Sequence, residues 1–125
     1  MRLLLDSHVV LWAMSSPERL RKSTQQALVS PQNEVFVSAA TLWELRLKVG
    51  KGKLHLPENF AETLADQDFN EISVSWNHTN ELHLLPAIHA DPFDRLLLAQ
   101  ARAEGLTFVT ADRLCLQYPQ PLMKA

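Results

Sequence analysis

The sequence predicts an α/β fold, a three-layer α/β/α sandwich around a central, mostly parallel sheet of four to five strands. Three observations lead there. Short, continuous apolar runs recur at Leu3-Leu4-Leu5, Val35-Phe36-Val37 and Leu106-Thr107-Phe108-Val109-Thr110. Such runs suit strands buried on both faces of a sheet. Segments with helical patterning separate them, and strands that alternate with helices imply right-handed crossovers and parallel pairing. Hydrophobic residues make up 46% of a 125-residue chain, enough for one core in one domain over residues 1–125.

Taken in order, Leu3-Leu4-Leu5 is the first strand, with Asp6 at its carboxyl end. Residues 7–14 form a helix that stops at Ser15-Ser16-Pro17. Ser16 is placed to cap a second helix, with Pro17 at its first position and residues 19–29 as its body. Ser30-Pro31-Gln32-Asn33 is a turn, and Val35-Phe36-Val37 the second strand. Residues 39–49 then read as a helix ended by Gly50 and Gly52, one of them left-handed. Leu56-Pro57 opens another helix through Asp66, and Ile72-Ser73-Val74 is a weak strand. Ser75 caps a helix from Trp76 to about Leu85, where Pro86 stops it. Asp91 is an N-cap with Pro92 in the first turn of a helix that is apolar nearly all round and ends at Gly105. The strand at residues 106–110 follows, then a short helix at 113–117. Leu122-Met123 is a last short strand, placed at a sheet edge by the prolines beside it.

The formal net charge of -2 gives no global attraction to nucleic acid or anionic membrane. A nucleic-acid contact therefore has to come from a local basic patch. The single cysteine, Cys115, excludes an intramolecular disulfide and a Cys-rich zinc site, and reads as a small buried apolar residue. No apolar run is long enough to span a bilayer, and the one at the start is cut short by Asp6 and His8. The expectation is a cytoplasmic protein without a membrane contact. No Gly-x-Gly-x-x-Gly is present to hold a dinucleotide. A phosphoacceptor domain would want paired acids after the first strand and a Lys after a late one, and neither is found.

Four acids from distant segments can meet: Asp6, Glu44, Asp94 and Asp112. Asp6 and Asp112 directly follow strands, and ligands of open parallel sheets sit outside the carboxyl ends of the strands. Each acid alone has a bland explanation. Asp94 suits the positive end of a helix dipole, and Glu44 can pair with Lys48 four residues on. Together they place about four negative charges at one rim, which is costly without a counter-charge. Either their pKa values rise or a divalent cation neutralises them. Oxygen donors without Cys suit Mg²⁺ or Mn²⁺. The basic cluster Arg46, Lys48, Lys51 and Lys53 follows Glu44; it reads either as a solvated helix end or as a phosphate-backbone contact. Trp12 and Trp43, at apolar helical spacings, read as core or dimer surface rather than as base-stacking platforms.

Four segments carry a family resemblance: Leu4-Leu5-Asp6-Ser7-His8, Ser38-Ala39-Ala40-Thr41-Leu42-Trp43-Glu44, His89-Ala90-Asp91-Pro92-Phe93-Asp94-Arg95 with the apolar run Leu96-Leu97-Leu98-Ala99-Gln100-Ala101, and Val109-Thr110-Ala111-Asp112. They resemble the successive motifs of the PIN-domain family, and most closely its bacterial VapC-type toxins. The resemblance covers nearly the whole chain, in order. It implies a PIN-like sandwich and a metal-dependent ribonuclease that cleaves RNA, often tRNA or rRNA, pairs with a cognate antitoxin and forms a homodimer. By motif it assigns Asp6, Glu44 and Asp94 as core ligands of Mg²⁺ or Mn²⁺, with Asp112 completing the site directly or through water. Ser7 adds a hydroxyl near the metal, Asp91 is a cap or a supporting acid, and His89 either makes a loop hydrogen bond or supports a ligand carboxylate or phosphate. The rival reading is a non-catalytic binding module that uses the acidic rim for protein contacts.

Overall fold

The computed structural model describes all residues from Met1 to Ala125. Five strands form one sheet in the order β3-β2-β1-β4-β5, and all four pairings are parallel. They are β1 (Arg2–Leu5), β2 (Glu34–Ser38), β3 (Asn70–Ile72), β4 (Thr107–Thr110) and β5 (Leu122–Lys124). The helices are α1 (Ser7–Ser15), α2 (Lys22–Val29), α3 (Ala39–Gly50), α4 (Phe60–Asp66), α5 (Trp76–Glu81) and α6 (Pro92–Glu104). None is long and apolar enough to cross a membrane.

The three layers follow from the two-residue period of the strands. Leu3 and Leu5 face one core, with Val9, Val10, Ala27, Leu45, Phe60 and Leu64. Leu4 faces the other, with Leu97, Leu98, Ala101, Phe108 and Tyr118. Every side chain of Leu3-Leu4-Leu5 is thus buried, as a central strand of a helix-covered sheet requires. Chain order reverses beside β1: β2 and β3 extend to one side, β4 and β5 to the other. A crevice opens at the carboxyl ends of strands at such a switch point.

Several elements differ from the sequence reading. The second helix is broken. Pro17–Arg19 is a single 3-10 turn, Leu20 is extended and buried, and α2 starts only at Lys22. Ser16 makes no side-chain cap, because the burial of Leu20 sets the chain path there. The helix expected from Leu56-Pro57 starts at Phe60; the carbonyls of Pro57 and Glu58 turn to the Arg46 guanidinium, at 3.3 and 3.0 Å. The weak strand is Asn70–Ile72 rather than residues 72–74, since the Ser73 carbonyl accepts from Gln100 and Ser75 begins the cap of α5. That cap is reciprocal: Ser75 accepts the His78 N–H, and His78 Nδ1 accepts the Ser75 N–H. α5 ends at Glu81, and Leu82–Leu84 is a 3-10 turn. The short helix expected at 113–117 is likewise a 3-10 turn, Cys115–Gln117.

The start and end of α6 follow the sequence. Asp91 accepts the N–H groups of Phe93 and Asp94, at 2.8 and 3.1 Å, and Gly105 closes the helix at φ 66°, the left-handed region that favours glycine. Replacing Asp91 with Ala is expected to cost about 1 kcal/mol in urea unfolding, and Asp91→Ser to restore most of it. Leu98→Ala, which empties a fully buried site, is expected to cost about 2–5 kcal/mol in the same measurement.

Candidate active site

Asp6 leaves the end of β1 at the switch point and is buried. The parallel register pairs Leu5 with Val109, so Asp6 lies opposite Thr110, the last residue of β4. The Thr110 hydroxyl donates to Asp6 Oδ2 at 2.6 Å and accepts the Asp112 N–H at 3.0 Å. Thr110 thereby ties together the acids that follow two neighbouring strands. The sequence reading passed over it, although a hydroxyl residue ending the strand beside Asp6 was the signal available.

Ser38 ends β2 and caps α3, accepting the Ala40 N–H at 3.0 Å. The helix therefore starts at the same rim, and Glu44 in its second turn is carried inward and buried. Its Oε1 accepts from Ser7 Oγ at 2.5 Å, and its Oε2 lies 3.3 Å from Lys48 Nζ. Glu44 thus pairs with Lys48 and also lies close enough to Asp6 and Asp94 for its charge to act on both. Asp94 is held by the capped first turn of α6. Its Oδ2 is 2.9 Å from His89 Nε2, and Asp112 Oδ2 is 3.4 Å from the same nitrogen. Asp112 Oδ1 accepts the N–H groups of Leu114 and Cys115, which fixes the turn after β4.

The charges respond to this crowding. Burial raises the Asp94 carboxyl to about 7, helped by the neighbouring charges of Asp6 and Asp91. Burial also raises Asp6, against the opposing hydrogen bond from Thr110. For Asp112 partial burial acts upward but is outweighed by the Cys115 and Leu114 N–H groups and by His89, which hold it below the usual range. Burial pushes the Cys115 thiol up, so the sulfur that lies within 4.8 Å of donor atoms of His89, Asp94 and Asp112 stays protonated. A desolvated carboxylate whose pKa is raised by the acids beside it, as for Asp94, is the kind of donor a hard divalent cation takes. The residues present therefore fit a hard divalent cation.

The sequence model of the PIN domain matches residues 3–118. The chain belongs to the PIN domain family. Ribonuclease VapC22 of Mycobacterium tuberculosis (strain ATCC 25618 / H37Rv) is 28% identical over 137 residues, covering 94% of this chain and 92% of that protein. The fold is similar to VapBC2 from Rickettsia felis, solved with a promoter DNA fragment, at TM-score 0.74 and 20% identity, covering 98% of both chains. It is also similar to a toxin-antitoxin complex from Klebsiella pneumoniae, at TM-score 0.67 and 20% identity, with 98% and 96% covered. DNA-bound VapBC from Salmonella typhimurium gives TM-score 0.66 at 18% identity, with 98% and 97% covered.

Asp91 caps α6. Of the basic residues, Lys48 pairs with Glu44 and Arg46 holds the loop carbonyls of Pro57 and Glu58, whereas Lys51 and Lys53 are exposed and in no ion pair. Trp43 is 61% exposed rather than core, and packs edge to face against Phe93 at 4.9 Å. Trp12 is half-buried beneath the Arg19 guanidinium.

The Asp94 shift fixes a pH dependence. Its carboxyl takes up a proton near pH 7 when folded, but only near the ordinary value of 3.8 when unfolded. The folded state therefore binds more protons between these values, and metal-free stability falls as pH rises through that window. In EDTA, Asp94→Asn is expected to stabilise the protein at pH 8 by on the order of 2–4 kcal/mol and to change it little at pH 4. Thermal unfolding at the two pH values reads the difference, and equal gains at both would refute the assignment.

Proposed function

We propose that this PIN domain, spanning residues 1–125, is a Mg²⁺- or Mn²⁺-dependent endoribonuclease that hydrolyses RNA phosphodiester bonds, and that it is the toxin of a toxin–antitoxin pair. The observation that carries the reading is the crowding at the switch point, where burial and the charges of Asp6, Asp91 and Glu44 raise Asp94 to about 7 while Asp112 reaches the same His89 nitrogen as Asp94. The names of the relatives, a ribonuclease and toxin-antitoxin complexes, support the class.

In this reading Asp6, Glu44 and Asp94 hold the cation, and Asp112 completes its shell directly or through water. Those residues would hold the cation, which would supply activation of water and stabilisation of the leaving oxygen of the phosphodiester. The chain's own residues do the positioning. Thr110 orients Asp6 and Ser7 orients Glu44 through their hydroxyls. The Asp91 cap fixes where the first turn of α6 delivers Asp94. Lys51 and Lys53, free of other partners, lead the contact with the RNA backbone, and Lys48 adds charge at Glu44. A cytoplasmic homodimer, a cognate antitoxin and a tRNA or rRNA target complete the proposal, carried by the family resemblance.

Purified protein incubated with total bacterial RNA and Mg²⁺ or Mn²⁺ is expected to give discrete cuts that EDTA abolishes. Asp6→Asn and Asp94→Asn are each expected to lower cleavage by at least about 100-fold. Full activity in both variants would overturn the site. No cutting under either metal, with Mn²⁺ still bound in calorimetry, would favour the binding module instead. Joint replacement of Lys51 and Lys53 by Ala is expected to weaken RNA binding and to flatten its log–log salt slope by about 1–2, with cleavage at saturating RNA retained.

A further inference from the structure

His89 lies in the loop before α6, and that loop is pinned. Its N–H donates to the Tyr118 hydroxyl at 2.8 Å. Arg95 Nη1 donates to the same hydroxyl at 3.2 Å and to the Pro86 carbonyl at 2.9 Å, and Nη2 donates to the Leu82 carbonyl at 3.3 Å. Arg95 is thus spent on holding the loop, although it stands next to Asp94.

The ring orientation is then set from the other side. The Asp91 N–H donates to His89 Nδ1 at 3.2 Å, so Nδ1 carries the lone pair and the ring proton sits on Nε2. Nε2 is buried, 2.9 Å from Asp94 Oδ2 and 3.4 Å from Asp112 Oδ2, and its N–H, aligned with neither oxygen, hydrogen-bonds to neither. One N–H therefore faces two carboxylate oxygens from separate segments. Asp112 Oδ1 is already taken by two backbone N–H groups, so its oxygen that faces His89 is the one left for the site. A histidine bound to a metal through Nε2 needs its lone pair there and its proton on Nδ1. The Asp91 N–H opposes that arrangement.

We infer that His89 is a positioning residue whose Nε2–H stands between the carboxylates of Asp94 and Asp112, keeping the turn after β4 against the head of α6, and that it is not itself a metal ligand. The inference rests on the proposed metal-dependent reading. A neutral donor between the acids lowers their repulsion without adding a charge that competes with the cation, as Lys48 does at Glu44.

The test is Mn²⁺ titration of the purified protein by calorimetry, with electron spin-echo spectra of the bound Mn²⁺. His89→Ala is expected to weaken Mn²⁺ binding about 10–100-fold, and His89→Gln, which returns an N–H near the Nε2 position, to stay within about threefold of wild type. A wholly structural role would not distinguish these variants through metal affinity once thermal unfolding shows both folded. The wild-type spectrum is expected to lack coupling to a directly bonded nitrogen. Unchanged affinity in His89→Ala, or a bonded-nitrogen coupling that His89→Ala removes, would overturn the inference while leaving the nuclease intact. Wild-type protein that neither binds Mn²⁺ nor cuts RNA would overturn the proposed function first, and this inference with it.

Discussion

Like charges crowded into a desolvated crevice are costly, and the rest of the site is arranged around that cost. Asp6 is buried at the end of the central strand, Glu44 is carried inward by α3, and Asp94 enters on the first turn of α6. Charge interactions strengthen as water is excluded. The chain supplies little relief. Lys48 reaches Glu44, and neutral hydroxyls reach Asp6 and Glu44. Asp94 has no Lys or Arg in an ion pair with it, only His89 beside it, and its carboxyl shifts to about 7. A group that yields its charge near neutral pH is a group for which a cation has high value.

Supporting hydrogen bonds explain why the crowding persists. Thr110 links the acids after β1 and β4, and Ser38 sets the start of α3 at the same rim. Asp91 fixes the first turn of α6, while Arg95 and Tyr118 hold the loop before it. These contacts come from the ends of four elements, so the site depends on the register of the whole sheet. A one-residue slip between β1 and β4 would place Val109 instead of Thr110 beside Asp6 and remove the hydroxyl bridge.

Much of this was legible in the sequence because it rests on local patterns. The apolar strand runs gave the sheet, and Asp91-Pro92 with Gly105 marked the limits of α6. The four acids could be drawn to one rim because two of them follow strands directly. Elements whose limits depend on distant partners were not legible. Leu20 breaks the second helix by entering the core, and Arg46 turns the carbonyls that would have opened α4. Thr110 was missed because its role exists only once β4 lies beside β1. For the same reason the engagement of Arg95 with Pro86, Tyr118 and Leu82, all distant from it in sequence, was not legible.

The packing of the core bears directly on the charges at the rim. An unfavourable carboxylate on a mobile loop escapes by swinging into water. Here the elements that carry the acids have buried bodies: Leu3, Leu4 and Leu5 behind Asp6, Leu45 beside Glu44, and Leu97, Leu98, Ala99 and Ala101 behind Asp94. Moving Asp94 outward would pull that apolar helix from its core, at about 25 cal/mol for each Å² of apolar surface exposed. Protonation, pairing or a bound cation would relieve the repulsion without exposing that surface. An apolar helix with an acid at its head is therefore more than a way to fill a core. It fixes a negative charge where the chain alone stabilises it poorly, and that residual instability is available as binding free energy for the ion.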